Sequence, residues 1–218
     1  MKTVSLIFLV ILMNSTLFAK KNNFNLIVGT YTNSCESNGI YVYQFNAETA
    51  EFSLKNSSEK TINPSYLTLS NDNKFIYSTN KSGKIDFINK QNSEGNDPCY
   101  IINDDKNVIV ANYSGGNIAV FGKGKNGGLT YVKQVIQHFG KGANEQRQEK
   151  PHVHMVYFSP DKKYVLANDL GTDQLYIYKY DANSKNQVLT IKDSVAFKAG
   201  SGPRHLIFSK NGKSVYVL

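Results

Sequence analysis

The stretch RQEKPHVHMVYFSPDKKYVLAND, Arg147 to Asp169, decides how this chain is read. It holds two of the four histidines, His152 and His154, two residues apart, with Arg147 and Glu149 just before them. A β-type run, Met155 to Phe158, leads into the polar turn Ser159-Pro160-Asp161-Lys162-Lys163 and then into a second β-type run, Tyr164 to Ala167. On a strand, residues i and i+2 share a face, so both imidazoles can look into one space.

Working outward, the same unit recurs. Ser65-Tyr66-Leu67 passes through Ser70-Asn71-Asp72-Asn73-Lys74 to Phe75–Asn80, then to a further expected strand, Gly83–Ile88. Cys99-Tyr100-Ile101 passes through Asn103-Asp104-Asp105-Lys106 to Val108–Asn112, then Asn117–Phe121. Arg204-His205-Leu206 passes through Ser209-Lys210-Asn211-Gly212-Lys213 to Val215–Val217. Anchoring on the lysine after each turn makes Ser65, Cys99, His154 and Arg204 equivalent, with separations of 34, 55 and 50 residues. No 3.6-residue apolar period runs for long, whereas Ile40–Tyr43 alternates with a period of two. Antiparallel strands repeating about every 40 to 50 residues are the mark of β-propeller blades. The expected fold is therefore all-β, a propeller with about four blades in this chain. Gly115-Gly116 predicts a tight hairpin. The segment 122–150 lengthens one repeat and ends in a polar loop, Gly140 to Gln148, of the kind on which sites are built. The chain stops inside a repeat, at Val215–Leu218, so the expectation for 20–218 is a propeller domain incomplete at its C-terminal end.

The wider composition narrows the function classes. With 218 residues, 40% hydrophobic and 19% charged, the chain can bury a core. Its net charge of +8 is spread over turn lysines such as Lys74, Lys106, Lys162 and Lys210, with no stripe, which argues against nucleic acid as a partner. Met1 to Ala19 has the build of a secretory signal peptide: Lys2, an apolar run from Val4 to Met13, and Ala19 at the cleavage point. An exported protein, periplasmic or secreted, is expected, and nothing else in the sequence could span a bilayer. Cys35 and Cys99 lack zinc-ligand spacing and are read as two free thiols. His152-x-His154 offers two ligands where a zinc site needs three or four, so no metal site is expected.

VGTYT (28–32), GIYVY (39–43), NPSYL (63–67), ANYSGGNIAVF (111–121), the stretch 147–169 and GPRHLIFSKNGKSVYVL (202–218) together resemble the bacterial 6-phosphogluconolactonase family, the seven-bladed propeller lactonases that include carboxymuconate cyclase. The resemblance implies hydrolysis of 6-phospho-D-glucono-1,5-lactone, an anionic sugar lactone, without metal or organic cofactor. A glutamate that follows the strand matching Ser214–Leu218 in that family is not in this sequence. On the matched positions the expected catalytic residues are His154, as base or acid, and Arg204, as clamp for an anion or oxyanion. Arg147, Glu149, His152 and His205 are expected around the substrate. Against these stand blander readings: a hydrogen-bonded histidine at a blade junction for His154, a surface ion pair for Arg147 and Glu149, and bracing roles for His152 and His205. Two other functions fit a propeller. One is a lactonising cyclase. The other is a non-catalytic exported binding propeller, since Tyr77-Ser78-Thr79-Asn80 resembles the YVTN repeats of surface-layer proteins.

Overall fold

The computed structural model describes residues 22–33, 35–79 and 87–218. All regular elements among them are strands, fifteen in five antiparallel sheets. The first sheet is β1 (Asn23–Gly29), β2 (Ile40–Asn46) and β3 (Phe52–Ser57), and the second pairs β4 (Leu67–Leu69) with β5 (Ile76–Ser78). Two four-stranded meanders follow: β6 (Pro98–Asn103), β7 (Asn107–Asn112), β8 (Asn117–Lys123) and β9 (Leu129–Gln137), then β10 (Val153–Phe158), β11 (Tyr164–Asp169), β12 (Gln174–Tyr180) and β13 (Leu189–Ala196). A last pair joins β14 (Leu206–Phe208) to β15 (Val215–Val217).

The repeated turn has a local cause. In three of the four copies the leading serine hydroxyl bonds the residue two on, Asp72, Asp161 or Asn211, and accepts the N–H five on, from Phe75, Tyr164 or Ser214. The residue three on sits at positive φ: Asn73 at 56°, Lys162 at 53° and Gly212 at 70°. Serine with a short acceptor two residues later is turn chemistry of this kind. The β6–β7 turn is shorter, and there Asp104 alone accepts from the N–H groups of Lys106 and Asn107.

The apolar runs then stack. β7 is buried along its whole length and β11 along all but its first residue, which explains their unbroken VIVA and VLA runs. One core cluster joins β6–β8, β10–β12 and β14 through Ile109, Ile118, Val153, Val156, Val165 and Leu206. Each such side chain contributes about 1.5–3 kcal/mol by leaving water. A second cluster, with Tyr77, Ile101, Val108 and Phe121, binds the β4–β5 sheet to the next one.

Among the described residues the strands form five sheets, two of them four-stranded, and the expected all-β partial propeller stands. Two finer expectations change. The lengthened segment 122–150 is a loop only in its second half, because β9 occupies Leu129–Gln137. The outer strands β3 and β13 escape an apolar reading because they lie largely exposed, and β9 because it is at most half-buried along its length. The signal segment Met1–Ala19 and the expected strand from Gly83 as far as residue 86 lie outside the described residues, and Phe87 and Ile88 are not in a strand.

Candidate functional site at the inner strands

The first strands of successive sheets run side by side, and the four residues aligned from sequence lie along that inner line. Ser65 Oγ donates to Pro98 O, and Cys99 Sγ to His154 O at 3.3 Å. The Nε–H of Arg204 donates to His154 Nε2 at 3.1 Å. Each aligned position touches the next sheet, as the predicted equivalence requires.

A β-bulge presents His154. Val153 pairs with Asp169 and Met155 with Asn168, adjacent residues on β11, so His154 is the extra residue on β10. Cys99 is the extra residue on β6 in the same way. At Arg204 the pattern returns, because the N–H groups of Arg204 and His205 both donate to Leu218 O. Bulges re-aim side chains, and here they turn one residue per sheet toward the neighbouring inner strand.

His154 is half-buried. The ring of His205 stands edge-on to it at 5.1 Å between centroids, and the ring of Tyr113 at 5.7 Å. Burial, then the charge of Arg204, then His205 and Arg147 push its pKa down to about 4. It is therefore neutral at pH 7. Because Nε2 accepts from Arg204, the ring proton sits on Nδ1, which is buried and has no hydrogen-bond partner. Arg204 is exposed, and no carboxylate among the described residues pairs with it. Four of its five N–H bonds remain for a ligand. The site thus sets the exposed guanidinium of Arg204 and the rings of His205 and Tyr113 against His154, with Arg147 acting on it electrostatically and Glu149 bonded to the neighbouring His152.

The other expected residues divide. His205 is exposed and faces the site. His152 is 5% exposed, stacked on Tyr113 at 4.4 Å, with Nδ1 at Tyr113 O and Nε2 at Glu149, both 3.2 Å. Both its nitrogens are engaged, so it stands as a brace. Glu149, whose pKa its own backbone N–H and then His152 hold low, pairs with that histidine and not with Arg147. Arg147 lies exposed on the polar loop, near enough to act on His154 electrostatically. Cys99 is half-buried against the His154 carbonyl and its thiol is pushed up to about 12, chiefly by desolvation, so it is inert packing. Both cysteines are free.

Sequence reasoning missed two features. Tyr113, beside the Gly115-Gly116 hairpin, stacks on His152 and stands edge-on to His154; its place directly before Ser-Gly-Gly, one sheet away from PHVH, was the available signal. The fourth histidine, His138, is buried at the end of β9, with Nδ1 at 2.8 Å from Asp169 and Nε2 at 2.8 Å from the Tyr178 hydroxyl. Asp169 also accepts from the N–H groups of His152 and Gly171, which pins the start of β10. A separate cavity of about 390 Å³, lined by Tyr77, Phe87, Ile101 and Leu129 among others, holds none of the expected site residues.

Known proteins share this arrangement of sheets. The chain is 38% identical over 208 residues to a 6-phosphogluconolactonase of Bacillus subtilis, covering 88% of this chain and 58% of the relative. A Bacteroides fragilis structure solved as a candidate 6-phosphogluconolactonase superimposes with a TM-score of 0.85 at 39% identity, over 92% of this chain and 62% of that one. The periplasmic gluconolactonase of Pseudomonas aeruginosa superimposes with a TM-score of 0.74 at 31% identity, over 89% of this chain and 61% of that one. The chain thus spans about three fifths of the length of these relatives. Residues 25–218 match the family model described as lactonase, 7-bladed β-propeller, and with the inner-strand geometry alongside that match, the chain belongs to the seven-bladed propeller lactonase family.

Proposed function

We propose that this chain carries the centre of a sugar-lactone hydrolase, with 6-phospho-D-glucono-1,5-lactone as its leading substrate and 6-phosphogluconate as product. The observation that carries the reading is the bond from the exposed Arg204 to a neutral His154. Relatives named for this activity support it.

Lactone hydrolysis needs a base for water, a stabiliser for the oxyanion and a proton for the departing ring oxygen. In the resting geometry Arg204 occupies the lone pair of His154, so His154 is not yet a free base. An anionic substrate drawn to the guanidinium engages Arg204 and releases that lone pair. Water then attacks the lactone carbonyl while His154 takes its proton. The guanidinium stabilises the oxyanion, and collapse breaks the bond to the ring oxygen, which receives the proton back from His154. Arg147 adds positive potential near His154, while His205, His152, Glu149 and Tyr113 hold the walls.

A specific observation favours a second substrate, plain glucono-1,5-lactone: the relative from Pseudomonas aeruginosa is a periplasmic gluconolactonase, and Met1–Ala19 has the build of an export signal. We propose export on the same ground, to be checked by N-terminal sequencing of the mature protein, where an intact Met1 in the cell fraction would refute it. The activity is tested by acid release from both lactones and from a muconate lactone, using purified protein. Turnover of a gluconolactone well above the spontaneous rate is expected. Turnover of none, or of the muconate lactone alone, would overturn the reading.

A further inference from the structure

The turn between β11 and β12, Asp169-Leu170-Gly171-Thr172-Asp173, ties together the two chain segments that bear the site. On one side Leu170 donates its N–H to His152 O at 3.0 Å, and Leu170 O accepts from Gln148 Nε2 at 2.8 Å. On the other side stands Asp173, 6% exposed and at φ 55°. Its Oδ1 accepts from Gln148 Nε2 and from the N–H of Gly202, both at 2.7 Å, and its Oδ2 from the N–H of Gly200 at 2.8 Å. Gln148 is itself 2% exposed and sits between Arg147 and Glu149. Gly200 and Gly202, at φ 83° and 57°, lead through the buried Pro203 directly to Arg204.

A non-glycine residue at positive φ is retained where its surroundings over-determine it, commonly at functional sites. The Asp173 side chain bonds the two loops that carry Arg147 and Arg204. Burial would raise its pKa, yet the donors of Gly202, Gly200 and Gln148 hold it below the ordinary carboxylate value, so it is charged at neutral pH. The groups facing His154 are Arg204, Arg147, His205, Tyr113 and the thiol of Cys99. Of these, the two arginines lie on segments that Asp173 grips.

We infer that Asp173 is a positioning residue, whose carboxylate fixes the Gly200–Gly202 turn so that Arg204 lies against His154 and, through Gln148, sets the Arg147 loop over the same site. It touches no reacting atom. The inference rests on the reading of His154 and Arg204 as the working pair, but its test needs no substrate.

The test follows the imidazole ring nitrogens by ¹⁵N NMR in the full chain, with His154 assigned by His154→Gln. Wild type should keep His154 neutral down to about pH 4. Asp173→Asn keeps the shape but turns an amide N–H₂ toward a backbone donor, so the grip loosens and Arg204 moves off. The His154 midpoint should then rise toward its ordinary 6.5, while the His138 signals stay in place. Gly200→Ala strains the same turn by its φ alone, with open space around the added methyl, and should move His154 in the same direction. A folded Asp173→Asn protein with an unmoved His154 overturns the inference; should that variant not fold, an unmoved His154 in Gly200→Ala does so. Absence of lactone turnover would overturn the reading of activity alone.

Discussion

At the scale of single residues, His154 shows how placement alters an ordinary histidine. Its sequence neighbourhood, PHVH, predicts a strand and a shared face but says nothing of protonation. Protonation is set by half-burial on a bulge and by the cations of Arg204 and Arg147 arriving from other segments. The depressed pKa has a consequence for stability. The unfolded chain binds a proton at His154 below pH 6.5, whereas the folded chain resists it until about pH 4. This contribution is therefore complete above pH 6.5 and is lost as the pH falls through that window. Denaturant melts at pH 7 and pH 4 should show wild type losing about 1 kcal/mol more than His154→Gln, once solvent screening at the part-exposed ring is allowed for. Equal losses would mean that the ring is not held neutral.

At the scale of elements, the inner strands were legible and the outer ones were not. The serine-led turns write themselves into sequence because the hydroxyl, the acceptor two residues later and the positive-φ position each demand particular residue types. Those turns gave the register that aligned Ser65, Cys99, His154 and Arg204, an alignment the structure reproduces contact by contact. β13 carries LTIKDSVA with one buried residue in eight, so no alternation betrays it. The network around Asp169 was hidden for another reason. It joins β9, β10, β11 and β12, and long-range polar pairing leaves no local pattern. Asp169 is fully buried and serves three donors, so Asp169→Ala strands His138 and two backbone N–H groups. Removing one partner of such a buried pair costs about 3–5 kcal/mol. Urea unfolding should register that loss, with His154 displaced in any protein that still folds; a loss below about 1 kcal/mol would contradict the pinning role.

At the scale of the molecule, the sheets are joined by apolar packing between neighbours, and the site lies where their first strands meet. Ile109 on β7 is fully buried in the cluster that links the two four-stranded sheets to the last pair. Ile109→Ala should therefore lower stability by about 2–5 kcal/mol in a thermal or urea melt, through lost transfer energy and the cavity left behind. A loss well under 1 kcal/mol would mean that the sheets are not packed through it. The propeller class and the inner-strand alignment were legible from the repeats, and the family from the resemblance of the motifs. The central claim is that His154 and Arg204 act as one unit on a sugar lactone. A double-mutant cycle on kcat/KM tests it most directly, with His154→Gln, Arg204→Gln and the pair together assayed on 6-phospho-D-glucono-1,5-lactone. Each single change should lower kcat/KM by about 10²-fold or more, and the double change by little beyond the larger of the two. Losses that simply multiply, or single variants as active as wild type, would contradict it.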